Sequence, residues 1–561
     1  VTEYRLENGL KLLLVPDDSV DTVTVNMTYL VGSRNEGYGE SGMAHLLEHL
    51  LFRGTPSIPN IKGELLKRGA RFNGTTSNDR TNYFETFNAT GDNLDWALAL
   101  EADRMINANV SKADLDAEMT VVRNEFESGE NSPSGVLQKR VSAAAYLWHN
   151  YGRSTIGARS DIENVPIERL RAFYKTYYQP DNAVLIIAGK FDEVAARAMV
   201  LKHFGRIPRP SRALPQTYTM EPVQDGERNV VLRRVGDVQI VSAFYHLPPG
   251  SHPDHAALDI LVSALSHTPS GRLHKALIEP GLASSVFGWE VQQREAGYAY
   301  FGTTVRLGQS LESARDAMIS TIEGASLTAL SREEVEQART RLLNEVEMTV
   351  ANSRSLALSL SETAAMGDWR LLFLHRDRIR KVTMDEILSV AKRYFKPANR
   401  TVGMFIPTVS PERAEIPPAP NLEEILRDYR GESGLAQGEA FNPTPENIEA
   451  RVVRRTLPGG MRLALLPKRT RGNTVFAQLG FRWGDEQSKT GRSVACGIAS
   501  AMLQRGTQKR NREQLSNEFS KLKASVGVSG EGASIQTVRD NLPDRKSTRL
   551  NSSHITISYA V

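Results

Sequence analysis

The sequence contains a single cysteine, Cys496, among its 561 residues. One cysteine cannot form an intrachain disulfide, so the chain has neither a disulfide framework nor a cysteine-rich zinc ribbon. Long apolar runs are also missing: the longest ones, such as 183–188, have the length of a strand, whereas a membrane-spanning helix needs ~18 apolar residues. The sequence therefore predicts no membrane span within this chain.

The chain also lacks a strong excess of charge of one sign. It has 69 basic and 65 acidic side chains and a formal net charge of +4. Because the two signs are interspersed, we predict no basic stripe of the kind that binds nucleic acid. Apolar residues make up 40% and charged residues 24% of the chain, as is typical of globular proteins. At roughly 150 residues per domain, the length predicts three or four domains.

The first 210 residues alternate between strand and helix patterns. Segments 11–15 and 22–30 are rich in β-forming residues, and the turn-prone residues between them predict a β-hairpin. Segment 73–87 has the composition of one extended strand, and 184–188 that of a buried strand. This mixture predicts an α+β fold, in which helices pack on a largely antiparallel sheet.

Two helices in this region have recognisable N-termini. Ser41 is a natural N-cap for a helix that would end near Arg53, where Gly54 follows. Ser111 and Asp114 have the spacing of a capping box, which predicts a further helix as far as about residue 128. These two helices carry the residues on which the functional hypothesis depends.

The chain repeats itself with a period of about 450 residues. Residues 6–12 match 457–463, and residues 53–55 match 505–507. A period of this length is far too long for a solenoid, so it indicates that a two-domain half was duplicated.

The repeat predicts the domain boundaries. We expect a first domain over 1–212, a second over 213–406, a proline-rich linker over 407–448 and a shortened second copy of the first domain over 449–543. Residues 544–561 match one reading frame of a common short-read sequencing adapter, so we expect natural sequence to stop near the start of that segment. The alternative is a solvated tail rich in serine and asparagine.

The first predicted helix contains the pattern His45-Leu-Leu-Glu48-His49. Residues i and i+4 of a helix project from the same face, so two imidazoles with this spacing can bind one metal ion. Glu48 lies beside them, where it can act on a water molecule at the metal. The order H-x-x-E-H is the inverzincin signature. The alternative is that the two histidines only lie on a polar helix face.

Two histidines leave a zinc site short of a third protein ligand. The helix that begins after Ser111 offers Glu118 and Glu125, which are seven residues apart and therefore on one face. Either carboxylate can reach the metal if this helix packs beside the first. The alternative is an acidic face exposed to solvent.

Several stretches of the chain closely resemble the M16 family of zinc peptidases, which includes pitrilysin, insulysin and mitochondrial processing peptidase. The most specific is 42–55, with the sequence GMAHLLEHLLFRGT. It is accompanied by 100–105 (LEADRM), 118–125 (EMTVVRNE), 151–157 (YGRSTIG) and 177–183 (YYQPDNA).

The resemblance implies a Zn²⁺ ion held by His45, His49 and Glu125. Glu125 stands about 76 positions after His49, which is the spacing of the third ligand in that family. The resemblance also implies that Glu118 supports the site and that Glu48 is the catalytic general base. The implied activity is that of a zinc-dependent endopeptidase acting on oligopeptides or unfolded polypeptide segments.

The resemblance extends over residues 1–543 and implies repeated M16-type domains in the four-domain bacterial arrangement, here cut short. In that arrangement the two halves face each other like a clamshell. The second copy carries Gly497, Ser500 and Ala501 opposite the residues of the zinc motif. None of these side chains can bind zinc or take a proton from water, so the second copy is expected to be an inactive scaffold.

Two substrate contacts are implied as well. Asn73 falls on the family's active-site edge strand, where a peptide adds as an extra strand. Arg272 falls in a segment that contacts substrate together with a tyrosine, but this chain has Ser284 where the tyrosine is expected. The alternatives are an asparagine that caps a bend and an arginine in a structural salt bridge.

The rival hypothesis is a catalytically silent M16-type scaffold or assembly subunit. Such subunits usually lack part of the ligand set, whereas this chain retains all of it. A metal-binding module without turnover is a third hypothesis, and Glu48 argues against it because ligation does not need that residue.

The resemblance favours the bacterial periplasm, with the cytoplasm as the alternative, and peptides are the expected partners. The sequence carries no signal for the oligomeric state.

Overall fold

The computed structural model describes residues 1–480, 482 and 484–541, together with the backbone of 551–552 and 555–556. The chain forms two compact units, Val1–Ala414 and Glu415–Val561. The adapter hypothesis for 544–561 falls largely outside the described residues. Among the described helices, every one is too short or too polar to cross a bilayer.

The first lobe of unit one is built on a six-stranded sheet. Its strands are β1 (Thr2–Arg5), β2 (Lys11–Pro16), β3 (Thr22–Tyr29), β4 (Arg71–Thr76), β5 (Thr81–Asn88) and β6 (Ala183–Gly189). Their spatial order is β1-β2-β6-β3-β5-β4, with β2 and β6 parallel and the other neighbours antiparallel. The helices are α1 (Met43–Leu50), α2 (Ile61–Lys67), α3 (Gly91–Asn107), α4 (Lys112–Glu130), α5 (Pro133–Ala145), α6 (Arg159–Asn164), α7 (Ile167–Tyr177) and α8 (Glu193–Phe204).

The predicted hairpin between β2 and β3 is wrong. Strand β6 lies between them, parallel to β2 and antiparallel to β3. Every residue of β6 is buried, so this apolar strand occupies the centre of the sheet although it comes more than 150 residues later in the chain. A local turn signal cannot anticipate such a long-range pairing.

The single strand predicted over 73–87 is also wrong, because the segment forms the antiparallel pair β4 and β5. The turn between them is closed by a hydrogen bond from the Ser77 N–H to the Arg80 carbonyl. Four consecutive polar residues at 77–80 were the signal for this turn.

The two predicted caps have different outcomes. Ser111 caps α4 as predicted, since its side chain accepts a hydrogen bond from the Asp114 N–H. Ser41 does not cap α1: the N-cap is Gly42, at a φ of 91°, a conformation that glycine adopts without steric cost. The carboxylate of Glu36 instead accepts hydrogen bonds from the N–H groups of Gly42 and Ala44.

The second lobe of unit one is built on a five-stranded sheet. Its strands are β7 (Arg228–Arg234), β8 (Gln239–Pro249), β9 (Ser285–Val291), β10 (Ala296–Val305) and β11 (Arg400–Pro407), in the spatial order β7-β11-β8-β10-β9. Its helices are α9 (His255–Ser266), α10 (Leu311–Gly324), α11 (Arg332–Ala351), α12 (Ser353–Ala365), α13 (Leu371–Lys381) and α14 (Met384–Tyr394). Only β7 and β11 are parallel. Both sheets are therefore mainly antiparallel and packed with helices, which confirms the α+β prediction.

Each lobe contributes one helix that packs on the sheet of the other lobe. Helix α5 of the first lobe packs on the second sheet, where Val136, Leu137 and Val141 join a core with Ile240 and Phe244. Helix α12 of the second lobe packs on the first sheet. Its buried residues Leu356, Ala357, Leu360 and Ala364 join Leu13, Val15, Val184, Ile186 and Ala188. Each sheet is thus partly covered by the other lobe.

Unit two contains α15 (Leu422–Leu426), α16 (Pro445–Arg451), β12 (Val453–Thr456), β13 (Arg462–Leu465), β14 (Thr474–Gly480), α17 (Glu486–Lys489), α18 (Ser493–Met502), α19 (Arg512–Lys521), β15 (Ser525–Ser529) and β16 (Gly532–Val538). The strands form a β12-β13 pair and a β14-β16-β15 sheet, and a further pair joins β17 (Asn551–Ser552) to β18 (Ile555–Thr556). Among the described side chains of this unit, burial is confined to Ala533 and Thr537.

Candidate metal centre

The two helices singled out by the sequence, α1 and α4, lie side by side in the first lobe. His45 and His49 project from α1 towards α4, and Glu125 projects from α4 towards them. The Nε2 atom of His45 lies 3.6 Å from Oε2 of Glu125, and the Nε2 atom of His49 lies 3.4 Å from the same oxygen. The structure therefore brings together the three residues that the sequence assigned to one metal.

The donor set and its spacing fit zinc. One ligand atom from each of His45, His49 and Glu125 can be chosen so that all three lie within 4.8 Å of one another. With metal–ligand bonds of about 2.0–2.2 Å, two ligands of a tetrahedral zinc site lie roughly 3.4 Å apart. Both measured nitrogen-to-oxygen distances are close to that value. Two imidazoles and one carboxylate also leave a fourth position open, as catalytic zinc sites do.

The protonation state of His45 suits a metal ligand. Burial, and secondarily the neighbouring His49, lower the pKa of His45 to about 4. The imidazole is therefore neutral at pH 7 and keeps a nitrogen lone pair for coordination.

Glu118 contacts the other ring nitrogen of His49. Its Oε2 atom lies 3.5 Å from His49 Nδ1, and its Oε1 atom lies 3.1 Å from an Arg53 guanidinium nitrogen. The Glu118 side chain is buried, and Asp114 also contacts Arg53. A carboxylate on the second nitrogen of a metal-binding histidine sets the orientation and tautomer of the ring. Glu118 thus occupies the position that a supporting role requires.

Glu48 is buried between α1 and the edge strand β4. The Thr76 hydroxyl donates a hydrogen bond of 2.7 Å to Glu48 Oε2. Burial raises the pKa of Glu48 above its ordinary value, while the hydrogen bond from Thr76 and the charge of His49 act in the opposite direction. A carboxyl group with a raised pKa is better matched to accepting and returning a proton near neutral pH.

Asn73 lies within β4, the edge strand of the first sheet, opposite Phe84 of β5. Its side chain is exposed. No second strand pairs with β4 among the described residues, so this edge offers main-chain N–H and C=O groups. Because Asn73 lies inside the strand, it does not cap a bend.

Arg272 is engaged by the protein itself. Its guanidinium forms a bidentate pair with Glu334, at 2.7 and 2.9 Å, and donates to the carbonyls of Thr328 and Ala329. This is the structural salt bridge of the alternative interpretation. A substrate contact by Arg272 stays a prediction.

Two residues at the site were missed from the sequence. Arg53 follows His45 and His49 at a further four-residue step, just beyond the end of α1, and this spacing was the signal that it lies on the same side as the two histidines. Thr76 lies two residues after Gly74, so the two residues share a face of β4. This relationship could be predicted only if 73–87 had been divided into two strands. In the predicted second copy, Gly497, Ser500 and Ala501 lie on α18, and none of these three side chains can bind zinc.

Comparisons with known proteins place the chain among peptidases. Two family models match: "Insulinase (Peptidase family M16)" over residues 11–159 and "Peptidase M16 inactive domain" over residues 164–342. The zinc protease PqqE of Helicobacter pylori is 29% identical over 411 residues, a match that covers 72% of this chain and 92% of that protein.

Solved structures show the same fold. The crystal structure of a protease from Helicobacter pylori matches with a TM-score of 0.70 at 28% identity, over 72% of this chain and 99% of that one. The periplasmic protease PqqL from Escherichia coli matches with a TM-score of 0.61 at 19% identity, over 96% of this chain and 64% of that one.

The two family models divide the chain after the candidate site. The insulinase family model spans both α1 and α4, whereas the inactive-domain family model begins only after them. The chain therefore belongs to the M16 (insulinase) family of peptidases.

Proposed function

We propose that this chain is a zinc-dependent endopeptidase in which His45, His49 and Glu125 bind the metal and Glu48 is the general base. The convergence of the two Nε2 atoms on one oxygen of Glu125 is the observation that carries this proposal. All the residues that the chemistry needs are present, which argues against a catalytically silent scaffold.

Zinc bound to these three residues would act as a Lewis acid on the scissile carbonyl and would lower the pKa of a water molecule from ~15.7 to about 7. Glu48 would accept a proton from the attacking water. The Thr76 hydroxyl already donates to Oε2, so we assign the proton to Oε1, from which it would be returned to the nitrogen of the leaving amine. Glu118 keeps the His49 ring oriented towards the metal position throughout.

Strand β4 selects the shape of the substrate. A peptide that pairs with this edge must be extended, because it satisfies the N–H and C=O groups of β4 as an added strand. The exposed Asn73 side chain is available to donate to a peptide carbonyl. Folded proteins present few such segments, so oligopeptides and unfolded segments are the expected substrates.

The similarity to the periplasmic protease PqqL supports the bacterial periplasm as the compartment.

The test compares Glu48→Gln with the wild-type chain. We expect the variant to keep zinc, because Glu48 is not a ligand, and to lose peptide hydrolysis, because an amide cannot take the proton. Zinc content by metal analysis and cleavage of a fluorogenic oligopeptide are measured on the same preparation. Glu127→Gln, which changes an exposed glutamate of α4, is the control. Unchanged turnover in Glu48→Gln would refute the mechanism.

A further inference from the structure

The turn that follows the edge strand is held by a buried arginine. The Arg80 side chain donates to the Thr75 carbonyl at 2.8 Å and to the Thr75 hydroxyl at 2.6 Å. It also donates to the Asn82 side chain at 3.2 Å. One guanidinium therefore fixes the last residues of β4 and the first residues of β5 relative to each other.

Arg80 is itself held from the second lobe. Its Nε–H donates to Glu362 Oε1 at 2.9 Å, and a terminal nitrogen of the same guanidinium contacts the same oxygen. Glu362 lies on α12, the helix that packs on the first sheet. The next residue towards the N-terminus, Ser361, accepts a hydrogen bond from Asn82. Helix α12 thus contacts this end of the β4–β5 pair through two adjacent side chains, those of Ser361 and Glu362.

Strand β4 links the residues held by Arg80 to Glu48. Successive side chains of a strand point to opposite faces. Thr75 faces Arg80, and Thr76 faces α1, where its hydroxyl holds Glu48 Oε2 at 2.7 Å. The approach is close at the neighbouring position too, since a Cβ atom on Gly74 would lie 2.9 Å from Glu48 Oε1. A shift of β4 by a fraction of an ångström therefore moves the carboxylate or breaks its hydrogen bond.

We propose that Arg80, held by Glu362 of α12, is a positioning residue that sets the Glu48 carboxylate through Thr75 and Thr76. The second lobe then controls the geometry of the general base in the first lobe. This inference rests on the proposed function, because it assigns the contacts a role in turnover. An arginine that only stabilised the fold would change unfolding without a specific effect on kcat.

The closing experiment uses the zinc-loaded full chain and four variants: Thr76→Val, Thr76→Ser, Glu362→Ala and the double variant Thr76→Val/Glu362→Ala. Thr76→Val should lower kcat on an oligopeptide about 10- to 100-fold, the range for residues that orient a site. KM and zinc content should change little, and Thr76→Ser should restore kcat. Glu362→Ala should lower kcat in the same way, by about tenfold.

The double variant separates positioning from general destabilisation. Because Glu362 is proposed to act through Thr76, the double variant should be no slower than Thr76→Val alone. Multiplied losses, or a Glu362→Ala enzyme with wild-type kcat, would overturn the proposal. Glu347→Ala is the control: Glu347 is an exposed glutamate of α11 in a loose 3.9 Å pair with Arg380, and its loss should leave kcat unchanged.

A structural measurement keeps this inference separate from the proposed function. If the zinc-loaded wild-type chain hydrolyses no peptide, the proposed function fails. Crystal structures of the zinc-loaded wild-type and Glu362→Ala proteins then decide the positioning role. We expect the Glu48 carboxylate to leave Thr76 in the variant. An unchanged Thr76–Glu48 hydrogen bond would overturn the inference whatever the activity.

Discussion

Glu118 and His49 meet through the ring nitrogen that faces away from Glu125, with 3.5 Å between Glu118 Oε2 and His49 Nδ1. Glu118 and Glu125, both on α4, are therefore expected to have different roles. Glu125 lies at the Nε2 side of the histidine ring, where the proposed zinc ion would bind, and Glu118 contacts the Nδ1 side. The difference between them can be measured.

Glu125→Gln should weaken zinc retention more than Glu118→Gln. A ligand gives the metal a charged oxygen, whereas loss of a residue that orients a ligand typically costs about 10- to 100-fold in affinity. Competition with a chelator of known zinc affinity ranks the two variants against the wild-type chain. The opposite order would mean that Glu118 is the ligand and Glu125 the supporting residue.

Arg104→Met should destabilise the first lobe severely. Arg104 donates to Glu101 at 2.7 Å, and both side chains are completely buried. Removal of one partner leaves a buried carboxylate uncompensated, which costs about 3–5 kcal/mol. Denaturant unfolding of the zinc-free protein provides the measurement. Arg159→Met is the control, because Arg159 and Glu163 form an exposed helical pair of the kind worth about 0–1 kcal/mol. Equal losses would show that the buried pair contributes no more than a surface one.

The sequence predicted the proximity of the candidate site residues better than the sheet around them. His45, Glu48 and His49 lie within one short helix, and helical periodicity alone places them together. The capping signal at Ser111 likewise located α4 and hence Glu118 and Glu125 on it. Pairing between distant strands has no comparable local signal, so the position of β6 was missed.

Contacts between the lobes were beyond prediction for the same reason. Arg80 and Glu362 are 282 positions apart in the chain, and each has an ordinary sequence context. Only the packing of α12 on the first sheet brings them together. The Arg272–Glu334 pair lies within the second lobe, but its two residues are 62 positions apart in the chain. A family resemblance indicated a substrate contact, and only the fold reveals the partner of the guanidinium.

Leu46→Ala and Ile498→Ala should differ sharply although the two residues occupy matching positions of the repeat. Leu46 on α1 is 1% exposed, whereas Ile498 on α18 is 58% exposed. Truncation of a buried leucine costs about 2–5 kcal/mol, and a surface substitution typically stays within about 0.5 kcal/mol. Denaturant unfolding of the zinc-free chain measures both. A large loss for Ile498→Ala would show that its side chain is covered in solution.

Glu334→Gln should remove a pH-dependent part of the stability. The hydrogen bonds from Arg272 lower the pKa of Glu334 from 4.5 to about 2. A carboxyl group whose pKa is lower in the folded state stabilises that state above its unfolded pKa. This contribution is lost as the pH falls through the folded value. The wild-type chain should therefore exceed Glu334→Gln in unfolding free energy by a constant amount above about pH 5, and the difference should shrink between pH 4.5 and pH 2. Because the pair is partly exposed, high salt should reduce the difference.

Unfolding of both proteins across this pH range provides the measurement. A difference that stays constant down to pH 2 would show that the Arg272–Glu334 pair does not form in solution, and Arg272 would then be free to contact a substrate.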